Sequence, residues 1–165
     1  HMDEVGFMVT HITKDGYLKF QSVGGVDERI LPGKAVYVGK KKLCGVIGSL
    51  AIHLQTKAQR EKITEMRDLF IDIGPKDQEQ AEEYVSVGDL VTFASPSEDV
   101  GELMRAKALD DRVGCSVLLD LLSELPEENF TAVFTTREEI GCFGAMAAAG
   151  AVKPKYAISG RPQGP

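Results

Sequence analysis

Over the first hundred residues, short apolar runs alternate with Gly, Pro and Asp at close intervals, a rhythm that predicts strands rather than helices. Val5 to Ile12 and Tyr17 to Phe20 flank Lys14-Asp15-Gly16, and Asp-Gly between two β-rich runs predicts a hairpin. Further strands are expected at Ala35 to Val38, Val46 to Ile52, Leu69 to Ile73 and Leu90 to Ala94. Between the last two, Asp77 followed three residues on by Gln80 has the spacing of a capping box, which predicts a short helix over Gln78 to Tyr84. Leu31-Pro32-Gly33 and Lys40 to Lys42 read as turns. The sum is a small barrel or sandwich.

After about Leu103 the period changes. Val113, Val117, Leu118, Leu121 and Leu122 recur at helical spacing, Phe130 to Thr135 is a β-rich run, Gly141 to Ala149 is an Ala-rich helix, and Tyr156 to Ile158 is a further short strand. Alternating strands and helices predict an α/β layer with parallel strands. The boundary between the two regions is expected between Ser95 and Met104.

Composition narrows the class. With 165 residues, 43% hydrophobic and 27% charged, the chain has the make-up of a globular protein of one domain or two small ones. Its net charge of −6 carries no basic footprint for nucleic acid or an anionic membrane surface. The longest run free of charged or strongly polar groups, Ile140 to Val152, is shorter than the ~20 residues a membrane span needs. Cys44, Cys115 and Cys142 are odd in number and lack C-x-x-C spacing, which points to reduced thiols in the cytoplasm. The start, His1-Met2-Asp3, suggests either a cloning remnant before Met2 or a piece of something longer.

Three acidic or imidazole clusters fall at the junctions of these elements, the first directly before the opening apolar strand. In His1-Met2-Asp3-Glu4, a His with a carboxylate two residues on suits a metal ligand with an orienting partner. In Lys107-Ala108-Leu109-Asp110-Asp111-Arg112, one aspartate serves as a helix cap, and the second is free to bridge two divalent cations. In Thr136-Arg137-Glu138-Glu139-Ile140-Gly141, acidic groups near a helix start are favourable on electrostatic grounds alone. Two adjacent Glu can also divide the labour, one ligating a metal and the other acting as general base. Together the clusters suggest a dinuclear metal hydrolase. His11 and His53 read as structural or surface residues, and Cys115 and Cys142 as small core hydrophobes.

The strings His1 to Phe7, Gly45-Val46-Ile47-Gly48, Leu69-Phe70-Ile71-Asp72-Ile73-Gly74, Lys107 to Gly114 and Thr136 to Gly141, in this order from His1 to Ile158, resemble the glutamyl aminopeptidase or tetrahedral aminopeptidase family of metallo-aminopeptidases. That resemblance implies an α/β fold in two parts. Residues 1–7 and 104–165 would form a partial catalytic domain, and residues 8–103 an inserted, PDZ-like β-barrel for dimerisation. It implies a hydrolase removing N-terminal residues from peptides with two divalent metal ions, Zn²⁺ or Co²⁺ and alternatively Mn²⁺. It implies a homodimer through the insert and larger homo-oligomers, with neither nucleic acid nor membrane as partner. By position, His1 matches a ligand of the first metal and Asp3 the carboxylate that orients it. Asp110 matches the bridging ligand, Glu138 the general base, and Glu139 a ligand of the second metal.

The resemblance also implies two further ligands, an Asp near Arg161 and a later His, neither of which the chain supplies. A stable catalytic Zn²⁺ needs about three protein ligands, so weak metal binding and little activity are expected of the polypeptide as given. Two other readings remain open. One is a non-catalytic oligomerisation or peptide-binding β-module. The other is a glycosidase-like hydrolase, disfavoured because the chain has no Trp for a sugar platform.

Overall fold

The computed structural model describes residues 1–125 and 129–160. Two compact units emerge, one from His1–Glu4 with the chain after Ala106, the other from Val5–Arg105.

The 5–105 unit is a closed barrel of six strands. β1 (Gly6–Ile12), β2 (Leu18–Val23), β3 (Ala35–Val38), β4 (Leu43–Gly48), β5 (Phe70–Asp72) and β6 (Leu90–Phe93) pair antiparallel in the order β1-β2-β5-β4-β3-β6, and β6 returns to β1 through Phe7 and Val91. The Asp15-Gly16 turn joins β1 to β2 as the sequence predicts, with Gly16 at φ +83°. Alternation sends Phe7, Val9, Leu18, Phe20, Val36, Val38, Ile47, Ile71 and Val91 into the interior. A register shift between Val9 and His11 breaks the alternation of β1, so Ile12 is buried and His11 exposed. Leu31 and Leu69, both fully buried, complete the core beside Ala81 and Val85.

Several expected bounds move. The run from Val46 to Ile52 is predicted as one strand, but pairing covers Leu43–Gly48 and the apolar residues beyond it, Leu50, Ile52 and Leu54, are exposed. His53 lies there in a short 3₁₀ turn, Ile52–Leu54. A short helix α1 (Lys57–Arg60) follows, capped by Thr56. Then comes α2 (Gln78–Glu82), whose start is held by the Asp77 carboxylate accepting from Gln80 N–H at 2.9 Å. The other half of that capping box is replaced, because Gln80 Oε1 accepts from Lys76 rather than from Asp77. A small hairpin of β7 (Glu98–Val100) and β8 (Leu103–Arg105) falls in the stretch the sequence reads as a boundary.

The other unit carries α3 (Leu109–Glu124) and α4 (Phe143–Val152). The parallel strands expected at Phe130 to Thr135 and Tyr156 to Ile158 do not form among the described residues. A strand exists only through a ladder of partners. The 130–135 run makes one backbone bond to the chain's start, Met2 N–H donating to Thr135 O at 2.8 Å, and Tyr156 and Ile158 are exposed. The helical period is present in α3, yet Val113, Val117 and Leu121 face solvent. The fold is thus mixed α/β, with its packed core in the barrel.

Candidate functional site

The residues singled out in the three clusters converge in the 1–4 and 106–160 unit. His1 sits at the centre. Its Nδ1 hydrogen-bonds the main-chain oxygen of Asp3 at 3.3 Å and lies 3.3 Å from Asp3 Oδ1, while Nε2 lies 3.3 Å from Asp110 Oδ1 and 3.5 Å from Glu138 Oε2. One ligand atom each from His1, Glu138 and Glu139 fall within 4.8 Å of one another. An imidazole held on one nitrogen by a carboxylate, with the other nitrogen facing more carboxylates, is the donor chemistry of a divalent cation site.

Asp3 does more than face the imidazole. Its Oδ1 accepts from the backbone N–H of Glu138 at 3.3 Å and its Oδ2 from that of Glu139 at 3.2 Å, so one side chain secures the turn that carries both glutamates. The turn is then locked to the next helix, since Thr136 O accepts from Gly144 N–H and Glu138 O from Cys142 N–H. Arg137 and Cys142, on either side of the turn, both adopt positive φ, at 62° and 58°.

The Asp pair divides in two. Asp111, 7% exposed, accepts from Gly114 N–H through Oδ1 at 3.2 Å, the contact of a helix cap, and the regular part of α3 begins beyond it. Asp110 is left exposed beside His1 Nε2. Next to them Lys107 Nζ pairs with Glu4 Oε1 at 2.5 Å. Cys142, expected in a core, is exposed, because the N-terminus of α4 is open on that side; its Sγ lies 3.8 Å from Glu138 Oε1. Cys115 is half-buried, and its Sγ donates to His1 O at 3.2 Å, a contact with no signal in the sequence. Arg161, where the resemblance implies a further ligand, lies outside the described residues.

Gly144 is the tightest point of the arrangement. A Cβ there would stand 2.1 Å from Thr136 O and 2.8 Å from Thr136 N, both backbone atoms that cannot swing away. Gly144→Ala is therefore expected to cost about 1–3 kcal/mol despite the better helix propensity of Ala. It should also move the Glu138 and Glu139 amide resonances, and unchanged resonances with unchanged stability would contradict this.

Residues 1–159 match the family model of the M42 glutamyl aminopeptidases, and the chain belongs to that family of metallopeptidases. The lysyl aminopeptidase of Pyrococcus furiosus is 33% identical over 96% of this chain and 48% of its own length. Among solved structures, the TET aminopeptidase of Thaumarchaeota archaeon SCGC AB-539-E09 superposes with a TM-score of 0.85 at 38% identity, covering 93% of this chain and 47% of that one. The TET1 peptidase of Pyrococcus horikoshii, which assembles into a tetrahedron or a large octahedral shell, superposes with 0.82 at 35% identity over 94% of this chain and 49% of its own. The chain spans about half the length of the curated relatives it matches.

Proposed function

We propose that this chain supplies the central part of a dinuclear, metal-dependent aminopeptidase site, acting on the N-terminal residue of a peptide. The observation that carries the reading is the convergence of His1, Glu138 and Glu139 within 4.8 Å, with Asp110 beside them and Asp3 holding both the ring and the Glu turn. In this reading His1 and Glu139 would each hold an ion and Asp110 would serve both, with Zn²⁺, Co²⁺ or Mn²⁺ suiting that donor set. When bound, such ions polarise a peptide carbonyl and acidify a water.

The chain's own residues do the rest. Glu138 is half-buried within the same cluster, where its carboxylate takes a proton from the attacking water and returns it to the departing amine. Asp3 fixes the imidazole through Nδ1, which leaves Nε2 as the donor nitrogen. Because Asp3 also bonds both glutamate amides, it sets the spacing of base and ligand. The barrel serves in this reading as a PDZ-like dimerisation insert in a cytoplasmic, larger homo-oligomer. Its self-contained core suits a domain inserted into another. Among the described residues no helix is long and apolar enough to cross a membrane.

The closed barrel with its own core also favours a second reading, a non-catalytic peptide-binding or oligomerisation module. Titration of the chain with Mn²⁺, followed by paramagnetic resonance, separates the two. Saturable binding that His1→Ala and Glu139→Gln each weaken at least ~10-fold supports the metal site. A stable dimer that neither binds metal nor cleaves an aminoacyl chromogenic substrate supports the module.

A further inference from the structure

We infer that Asp111 and Cys115, which the metal-site reading leaves without a role, are positioning residues that clamp the backbone of His1. The clamp is readable from three contacts. The N-terminal ammonium of His1 donates to Asp111 Oδ2 at 2.7 Å as an ion pair, and the carbonyl oxygen of the same residue accepts from Cys115 Sγ at 3.2 Å. Asp111 is itself held, since its other oxygen accepts from Gly114 N–H at 3.2 Å, an approach that only a glycine at 114 leaves room for. Both polar groups of one residue's main chain are thus gripped by the first turns of α3, and the ring is left to be oriented separately by Asp3.

A ring carboxylate alone fixes rotation about the side-chain bonds. It does not fix where the residue begins. His1 lies 110 residues away from Asp111 in sequence; Met2 N–H on Thr135 O and Asp3 on the glutamate amides tie the residues after it to the Glu138 turn, but neither holds the His1 Cα against α3 and its Asp110 carboxylate. The grip on its main chain does that. It also explains the adjacency of two aspartates: Asp110 presents its oxygen to the imidazole, and Asp111, turned inward and buried, holds the backbone from which that imidazole hangs. This inference rests on the metal-site reading for its purpose, though the clamp can be observed without any metal.

Asp111→Asn is the informative substitution, because Asn caps a helix about as well as Asp. Its single oxygen can keep the Gly114 bond, and its amide then faces the His1 nitrogen donor to donor. In the metal-free chain, the ring-proton resonances of His1 are expected to be dispersed, and in Asp111→Asn to collapse toward random-coil positions while the α3 amide resonances stay in place. Cys115→Ala should shift them partway and Cys115→Ser should restore them, since a hydroxyl donates to the same carbonyl. In the metal-loaded protein, affinity for Mn²⁺ is expected to fall about 10–100-fold in Asp111→Asn. Unshifted His1 resonances in Asp111→Asn with α3 intact would overturn the clamp, whatever the metal result. A parent chain that binds no metal, with the resonances collapsing as described, would sink the metal site and keep the clamp.

Discussion

Glu138→Gln is expected to lower peptide-bond cleavage by the metal-loaded protein about 10²–10⁴-fold, the range that general-base assistance supplies. By the ordinary conversion this is about 3–5 kcal/mol of transition-state stabilisation. The substitution keeps size and shape and removes only the capacity to take a proton. It leaves the turn alone, because the bonds to Asp3 come from the backbone of Glu138 and not from its side chain. Metal affinity should therefore stay within a few-fold of the parent, whereas Glu139→Gln, in the role of ligand, should weaken it. Steady-state rates on an aminoacyl chromogenic substrate, beside a Mn²⁺ titration, distinguish the two glutamates. Undiminished turnover in Glu138→Gln would remove the base from that residue.

Phe7→Ala carries the other large effect, on stability. The ring is 1% exposed and meets Phe20 and Phe93 edge-on, with centroids 5.0 and 5.3 Å away. Truncation loses the transfer energy of the ring and leaves a cavity that three strands cannot collapse into, which costs about 3–5 kcal/mol. Each aromatic pair adds ~0.5–1.5 kcal/mol beyond area burial. Against a typical total of about 5–15 kcal/mol, that is enough to unfold a marginal barrel. Met8, the next residue on the same strand, is 40% exposed, and Met8→Ala should change stability by no more than about 0.5 kcal/mol. Guanidinium unfolding of the two variants checks the contrast; equal midpoints would mean that Phe7 is not where the core is anchored.

The barrel was the more legible part of the fold. Its strands alternate with period two, and the Asp15-Gly16 turn names its own hairpin, so residues such as Val36 and Val38 can be placed inward from the pattern alone. The bulge after Val9 could not be, because it inserts one residue without changing the composition of the run. The β7–β8 hairpin was missed for a related reason: Glu98 to Arg105 has no buried face and therefore no alternation. At Phe130 to Thr135 the opposite error arises. Local β propensity is strong there, but pairing is decided by neighbours distant in sequence.

In the site, residue types and their order exposed His1, Asp3, Asp110, Glu138 and Glu139 as candidates, and the structure draws them together. What no spacing could reveal is which of two consecutive aspartates turns inward, or that a cysteine reaches the His1 carbonyl. Those contacts span more than 100 residues of chain.

Closure of the barrel has a further consequence for assembly. An open sheet presents unpaired N–H and C=O groups at its margins, and a second chain can associate by adding a strand. Here β6 pairs with both β1 and β3, and β2 meets β5 through the single pair Leu18 and Ile71, so the ring of strands closes and leaves little margin to extend. Leu50, Ile52 and Leu54, exposed beyond the end of β4, offer side chains rather than backbone groups to a neighbour. Among the described residues, the two-stranded β7–β8 ribbon is the sheet open on both sides, its outer backbone groups unpaired by any third strand.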